Sequence, residues 1–447
     1  MSKVEPGADQ RDAVAVERFR ALVRIPTVSR ADRDAEDRDA FARFRDELAA
    51  EYPRAHDALE CERVGGDSLL FRWPGTGMGL PSMLLAHHDV VPADEPGWRH
   101  APFSAELDDD RIWGRGTLDD KGMLAAVFEA IERLLEAGVT PDADVYVFSG
   151  ADEETTGSGA AAAVALLVER GIRPGLVLDE GGAVAADAFP GLTGEVAYVG
   201  VAEKGMARIR LTVAKPGGHA ATPVRNGATT TLARAILRLE ARPAPARLSE
   251  PVAAMMRAIA PRARGLQRRM FAHPARYRAV LTRVLARRGG EAAALVRTTR
   301  AVTRLSGSAA DNVIAERATG VVNARIAVDS SLDRTVAEIR RAVGDEVDVE
   351  LLAGDEPSPV SPSEGPEWER LAATIAEVFP GVVIAPYVML QASDSRHFAR
   401  IGDTVYRFLP FDLTAADRGA LHAINESIRV DTWLRGVRFF EALLRRL

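Results

Sequence analysis

Ser82-Met83-Leu84-Leu85-Ala86-His87-His88-Asp89 decides the architecture of this 447-residue chain. An almost unbroken apolar run of this length reads as a strand buried on both faces. Here it stops on two imidazoles and a carboxylate. Two further stretches repeat the arrangement: Val145-Tyr146-Val147-Phe148 runs towards Asp152-Glu153-Glu154, and Leu176-Val177-Leu178 runs into Asp179-Glu180. Between the first two, the spacing predicts a helix of about 18 residues after Asp120. Met123, Leu124, Val127, Ile131, Leu134 and Leu135 share one of its faces, and Gly138 sits where a helix stop belongs. A second helical stretch follows Gly157, through Ala165-Leu166-Leu167. Strands that alternate with helices specify an α/β fold with a mainly parallel sheet. Ligands of such sheets bind beyond the carboxyl ends of the strands, where each of these polar clusters is expected.

From about Tyr198 the pattern changes. Met206–Val213 alternates apolar and polar residues, as a half-exposed antiparallel strand does. Gly320–Ile326 is a second candidate strand, followed by a helix near Asp333–Val343 and a strand near Val347–Leu352. This reads as a smaller α+β domain inserted into the first. After the Pro-, Ser- and Glu-rich loop Gly354–Pro362 the α/β pattern resumes, with a strand at Thr404–Leu409 and a closing amphipathic helix at Trp433–Leu444. The expected division is therefore a catalytic domain from residues 1–197 and 357–447, and an inserted lid from 198–356 carrying a helical insertion at about 251–304. Arg262, Arg264, Arg268, Arg269, Arg287 and Arg288 in that insertion read as a solvated helix face rather than an anion-binding surface.

Composition bounds the function. Net charge is −7, with 57 basic against 64 acidic residues, so neither nucleic acid nor an anionic membrane is the expected partner. The single cysteine, Cys61, excludes an intrachain disulfide. The N-terminal residues lack the apolar core of a secretory signal, and no run of about 18 apolar residues marks a membrane span. Cytoplasmic residence is the default expectation.

The clusters supply what a site for two divalent ions needs: imidazole and carboxylate ligands, one carboxylate to bridge the ions and one left free as a base. Alternate residues leaving a strand point to opposite sides, so His87 and Asp89 act together while His88 faces away. His87 is the candidate ligand and Asp89 its orienter, since a carboxylate behind a ligating imidazole fixes its tautomer. Asp119, in Trp113-Gly114-Arg115-Gly116-Thr117-Leu118-Asp119-Asp120-Lys121-Gly122, is the candidate bridge, although either aspartate could simply cap the helix that follows. Three acids after a buried strand repel one another, and cations relieve that. Glu153 is the candidate base and Glu154 a ligand. One of Asp179 and Glu180 completes the set, and the residues alone leave both open.

In this order the motifs resemble the zinc-dependent aminoacylase and carboxypeptidase family, which includes glutamate carboxypeptidase and succinyl-diaminopimelate desuccinylase. Leu178–Gly182, Val360–Ser363 and Leu421-His422-Ala423-Ile424-Asn425-Glu426 are most similar to its carboxypeptidase S and N-fatty-acyl amino acid hydrolase branch. The resemblance implies one metal held by His87, Asp119 and an acid of the Asp179-Glu180 pair, with Glu180 preferred, and a second held by Asp119, Glu154 and His422. It implies Glu153 as general base, and two divalent ions, zinc first, with cobalt or manganese tolerated. His219 in Gly217-Gly218-His219-Ala220 is similar to the lid histidine that stabilises the oxyanion in a partner's site. Asn312 and Arg325 match substrate-binding lid positions, where a guanidinium fork suits a terminal carboxylate. The implied activity is hydrolysis of an amide bond in a dipeptide, peptide or N-acyl amino acid beside a free carboxylate, with a homodimer through the lid. The competing readings are a scaffold that has lost the chemistry and a two-metal phosphoesterase. No Gly-rich Lys-Ser/Thr phosphate cradle supports the latter.

Overall fold

The structure, a computed structural model, describes residues 8–447 apart from 31, 187, 188 and 190. The first seven residues, on which the expectation about a leader partly rests, lie outside the described residues.

The continuous apolar runs form the centre of an eight-stranded sheet. Its order is Glu60–Val64, Ser68–Trp73, Val145–Gly150, Ser82–His87, Leu176–Ala185, Val405–Asp412, Val196–Glu203 and Val383–Met389. Ser82–His87 lies parallel to both its neighbours, and Leu176–Ala185 is parallel to Val405–Asp412. Ser82–His87 and Val145–Gly150 are buried at every position, which is why they read as unbroken runs rather than alternations.

The helix after Asp120 spans Lys121–Glu136. Its expected apolar face is buried apart from half-buried Leu135, and so is most of the rest, including Glu129 and Glu132. Helices pack against it on several sides, so its acids are satisfied rather than solvated. Arg18 and Arg133 bind Glu129 at 3.1 and 2.7 Å, and the Ala55 N–H donates to Glu132 at 2.9 Å. The closing helix, Val430–Leu444, docks there as well. Fully buried Trp433 stacks on Phe19 at 4.8 Å and donates to the Gly122 carbonyl at 2.9 Å.

The lid is a four-stranded antiparallel sheet in the order Thr299–Ser306, Arg317–Ile326, Gly205–Ala214 and Asp348–Asp355. Helices Ala228–Ala241 and Leu332–Val343 bury Leu232, Leu239, Val336 and Ile339 in its core.

Three boundaries differ from the sequence reading. Tyr198 belongs to the main sheet, whose strand runs on to Glu203, so the lid begins after Lys204. Residues 299–304 form the lid's edge strand rather than helix. The helices between, Glu250–Ile259, Gly265–Ala272 and Arg278–Arg288, do not pack on the lid core. Met255, Met256, Phe271, Leu281 and Leu285 form a cluster with Tyr198, Ala385 and Val388 of the main sheet. The helical stretch therefore covers a face of the outer strand, Val383–Met389.

Candidate metal centre

His87 ends its strand with Nε2 3.0 Å from Asp119 Oδ1 and 3.4 Å from Glu180 Oε1. Its other nitrogen, Nδ1, faces Asp89, at 3.0 Å from the backbone carbonyl and 3.4 Å from the carboxylate. Both carboxylate oxygens of Asp89 also accept backbone N–H groups, from Glu153 at 3.1 Å and Glu154 at 3.2 Å. This buried aspartate thus fixes the first histidine and the acidic loop together. His88 turns the other way, stacks on Phe44 at 4.8 Å and meets Ser149 Oγ at 2.7 Å. Burial drags its pKa down to about 3, so it is a neutral core residue.

Asp119 is the link between two groups. Its Oδ1 faces His87, and its Oδ2 lies 3.0 Å from His422 Nε2, which is also 3.0 Å from Glu154 Oε1. His87, Asp119 and Glu180 offer donor atoms within 4.8 Å of one another, and so do Asp119, Glu154 and His422. The capping alternative fails, because Asp120 precedes the helix without a side-chain cap bond. Its Oδ2 accepts the His87 N–H at 3.3 Å. His422 adopts φ 59°, a left-handed conformation uncommon away from glycine and often met at functional sites.

The choice between the two adjacent acids follows from a bulge. Leu176–Ala185 does not end before Asp179, as its sequence suggests, but continues through it, and register with Val405–Asp412 slips between Asp179 and Gly182. Asp179 is buried and accepts from the Ser395 N–H at 2.8 Å and the Glu180 N–H at 2.9 Å. It is committed to structure and leaves the candidate ligand set. Glu180, on the bulge, is the acid that faces His87. Asp152 is structural too, accepting from Thr156, Ser158 and Gly159 to shape the loop.

Burial and crowding perturb Glu153 and the members of both donor groups. Burial, then the Asp119 carboxylate, lifts Glu180 to about 8. Burial pushes Glu153 well above the usual carboxylate range, with Glu180, Asp394 and Glu154 adding to it. Glu154 is raised by burial and Asp119. Burial also pushes Asp119 up, but His422 and His87 outweigh it and hold its carboxyl low. Hydrogen bonds to Asp119 and Glu154 raise His422 to about 10. In the bare chain protonated imidazoles balance part of this negative charge. Divalent cations balance it better, and the imidazole and carboxylate donors suit zinc-like ions.

Two side chains that the sequence reading did not single out support the cluster. Buried Glu426 takes hydrogen bonds from Arg115 Nη1 at 2.7 Å and from the N–H groups of Gly116 and Leu118 at 3.0 and 2.8 Å. It shapes the loop that presents Asp119. Arg396 Nη1 lies 3.9 Å from Glu153 Oε1. It follows Ser393-Asp394, a polar cluster after a strand, so the strand-end pattern could have revealed it. Arg325, on lid strand Arg317–Ile326, is close enough to Arg396, Glu153 and Glu203 to feel their charge. His219 and Asn312 share an exposed lid ribbon, where the Ala220 N–H donates to the Asn312 carbonyl at 3.0 Å. Among the described residues neither is bonded to the cluster.

The sequence profile of peptidase family M20/M25/M40 matches residues 83–446. The chain is 32% identical to "Probable carboxypeptidase S-like 2" of Dictyostelium discoideum over 446 residues, covering 97% of this chain and 85% of the relative. It is 33% identical to "N-fatty-acyl-amino acid synthase/hydrolase PM20D1.1" of Danio rerio, covering 98% and 86%. The M20 family metallo-carboxypeptidase Sso-CP2 from Sulfolobus solfataricus shares the fold, with a TM-score of 0.71 at 16% identity over 96% of this chain and 98% of that one. With the profile spanning most of the sequence and these relatives aligned nearly end to end, the chain belongs to peptidase family M20/M25/M40.

Proposed function

We propose that this chain hydrolyses the amide bond of a peptide or N-acyl amino acid next to a free carboxylate, using two divalent ions, zinc first. Family membership makes it a metal-dependent hydrolase of amide bonds in peptides or N-acyl amino acids. The number of ions and the residue roles are our reading. The observation that carries it is Asp119, one carboxylate shared by two three-residue donor groups, with Glu153 outside both.

His87, Asp119 and Glu180 would hold one ion, and Asp119, Glu154 and His422 the other. Bound there, the ions would lower the pKa of water and polarise the scissile carbonyl. Glu153 takes the proton of the attacking water at its carboxylate and returns it to the leaving amine. Its backbone N–H, held by Asp89, fixes its position. Arg325 binds the substrate carboxylate, and Arg396 beside Glu153 adds positive charge on the same side. On the side of Glu180 and His422, a cavity of about 500 Å3 is lined by Gly181, Tyr198, Met255, Leu295, Tyr387 and Leu421, among others. Its mainly apolar wall suits an acyl group or an apolar side chain. His219, exposed on the lid, would serve as oxyanion donor in the site of a second copy.

The test is release of free amino acid from a panel of dipeptides and N-acyl amino acids by metal-stripped protein, with and without zinc, cobalt or manganese. Metal-dependent release supports the reading. No release by folded, metal-loaded protein, or turnover of a phosphate ester instead, overturns it.

A further inference from the structure

The arginines of the helical stretch are far more segregated than the chain's overall charge suggests. Between residues 251 and 300 stand twelve arginines, no lysine and a single acid, Glu291, in a chain whose net charge is −7. A solvated helix face normally interleaves both signs, so that neighbours pair. Here they do not. Arg268, Arg269, Arg283, Arg287 and Arg288 are exposed, and none makes a side-chain hydrogen bond or ion pair among the described residues.

Their neighbours on the surface are apolar. Helix Gly265–Ala272 buries Phe271 and leaves Leu266 67% exposed. Helix Arg278–Arg288 buries Leu281 and Leu285 and leaves Val280 and Val284 47% and 52% exposed. Helical spacing puts Val280, Arg283, Val284 and Arg287 on one outward stripe. Aliphatic tips flanked by unpaired guanidinium groups, on helices that already have a core to rest on, match the interfacial helix pattern. The same helix ends at Arg288, which with Gly289 and Gly290 lines the apolar cavity beside the candidate metal centre.

We infer that the outer face of helices Gly265–Ala272 and Arg278–Arg288 docks on an anionic lipid bilayer, with the arginines among the headgroup phosphates and Leu266, Val280 and Val284 at the acyl boundary. Whole-chain charge gave no reason to expect a membrane, because the other residues carry the opposite sign and mask this one surface. A phosphodiester backbone would also draw the arginines, but it offers nothing to the three aliphatic tips. The cavity that Arg288 lines would then lie beside the surface into which an amphiphile partitions.

The experiment is sedimentation of the full-length protein with vesicles of pure phosphatidylcholine, and with vesicles containing phosphatidylglycerol, at low and high salt. Binding is expected to the anionic vesicles alone and to weaken with salt, because surface charge acts only over about a Debye length. The triple variant Arg268→Glu, Arg283→Glu, Arg287→Glu should bind about a hundredfold more weakly, with an unchanged melting profile and unchanged turnover of a short soluble substrate. A second variant, Leu266→Ser, Val280→Ser, Val284→Ser, should bind more weakly while keeping the salt dependence. If the charge variant misfolds, the serine variant and the salt series decide. Equal binding to both vesicle types, binding to neither, full binding by the serine variant, or tighter binding to duplex DNA than to vesicles would each overturn the inference. Catalysis is read separately, so loss of vesicle binding with intact amino acid release refutes only the docking face.

Discussion

Replacing Glu153 by Ala removes a carboxyl that belongs to neither donor group and is hydrogen-bonded to neither histidine. Turnover should therefore fall by about 10² to 10⁴, while metal content by elemental analysis stays at the wild-type level. A variant that keeps more than a tenth of the rate would remove Glu153 from the role of base. Asp119→Ala should differ in kind: with the shared carboxylate gone, metal content falls along with activity. Protonation adds a third expectation. Glu180 and His422 have folded pKa values, about 8 and about 10, above those of the unfolded chain. Their contribution to stability is complete below the unfolded values and is lost as pH rises through the folded ones. The melting temperature of metal-stripped protein should therefore fall between pH 6 and 9. Loading zinc requires the ligands to lose their protons, so the stabilisation added by metal should grow over the same window. Differential scanning calorimetry with and without zinc measures both slopes, and parallel slopes would contradict the assignment of these ligands.

At the scale of elements, the bulge after Asp179 does the most for the site. Gly181 has φ 141°, and a Cβ there would come within 2.1 Å of Met389 Sδ and 2.8 Å of Arg407 Cβ. Gly181→Ala should destabilise the fold by about 1–3 kcal/mol and weaken the ion held by His87, Asp119 and Glu180 before the other. A denaturant midpoint and stepwise metal removal by a chelator would check the two effects, and preferential loss at Glu154 and His422 would contradict them. The same bulge marks a limit of sequence reading. Ser82–His87 and Val145–Gly150 were legible because a strand buried on both faces has to be apolar throughout. Asp179 and Glu180 are adjacent acids whose separation depends on register with Val405–Asp412, more than 200 positions away. No local pattern carries that. Strand Thr299–Ser306 was missed for a related reason: it is an edge strand, mostly exposed, so its arginines suited a helix equally well.

At the scale of the molecule, the helical stretch covers the main sheet and leaves the lid's edge strand open. On that edge Leu305 and neighbouring Leu237 are 66% and 63% exposed, around a hollow of about 520 Å3 that Leu232 and Ile236 also line. In the homodimer proposed above, with His219 serving another copy, this apolar edge is where the second lid would dock. The protein is expected to run as a dimer in light scattering, and Leu305→Asp to give monomers with strongly reduced turnover and unchanged metal content. A wild-type monomer of full activity would refute that assembly. The presence of an inserted α+β unit was legible from the shift between continuous and alternating patterns. The packing partner of the helical stretch was not, because residues inside one domain's sequence complete the core of the other.

The shared carboxylate has a consequence in time as well as in space. His87, Asp119 and Glu180 all lie in the first half of the chain, whereas His422 stands 268 positions beyond its partner Glu154. A growing polypeptide has made the donors of one group long before it has made the last donor of the other. Yet strand Val405–Asp412, whose register sets Glu180 on its bulge, and Glu426, which shapes the loop of Asp119, are also made last. Both donor groups therefore wait for the end of the chain, and a chain interrupted within the lid would complete neither.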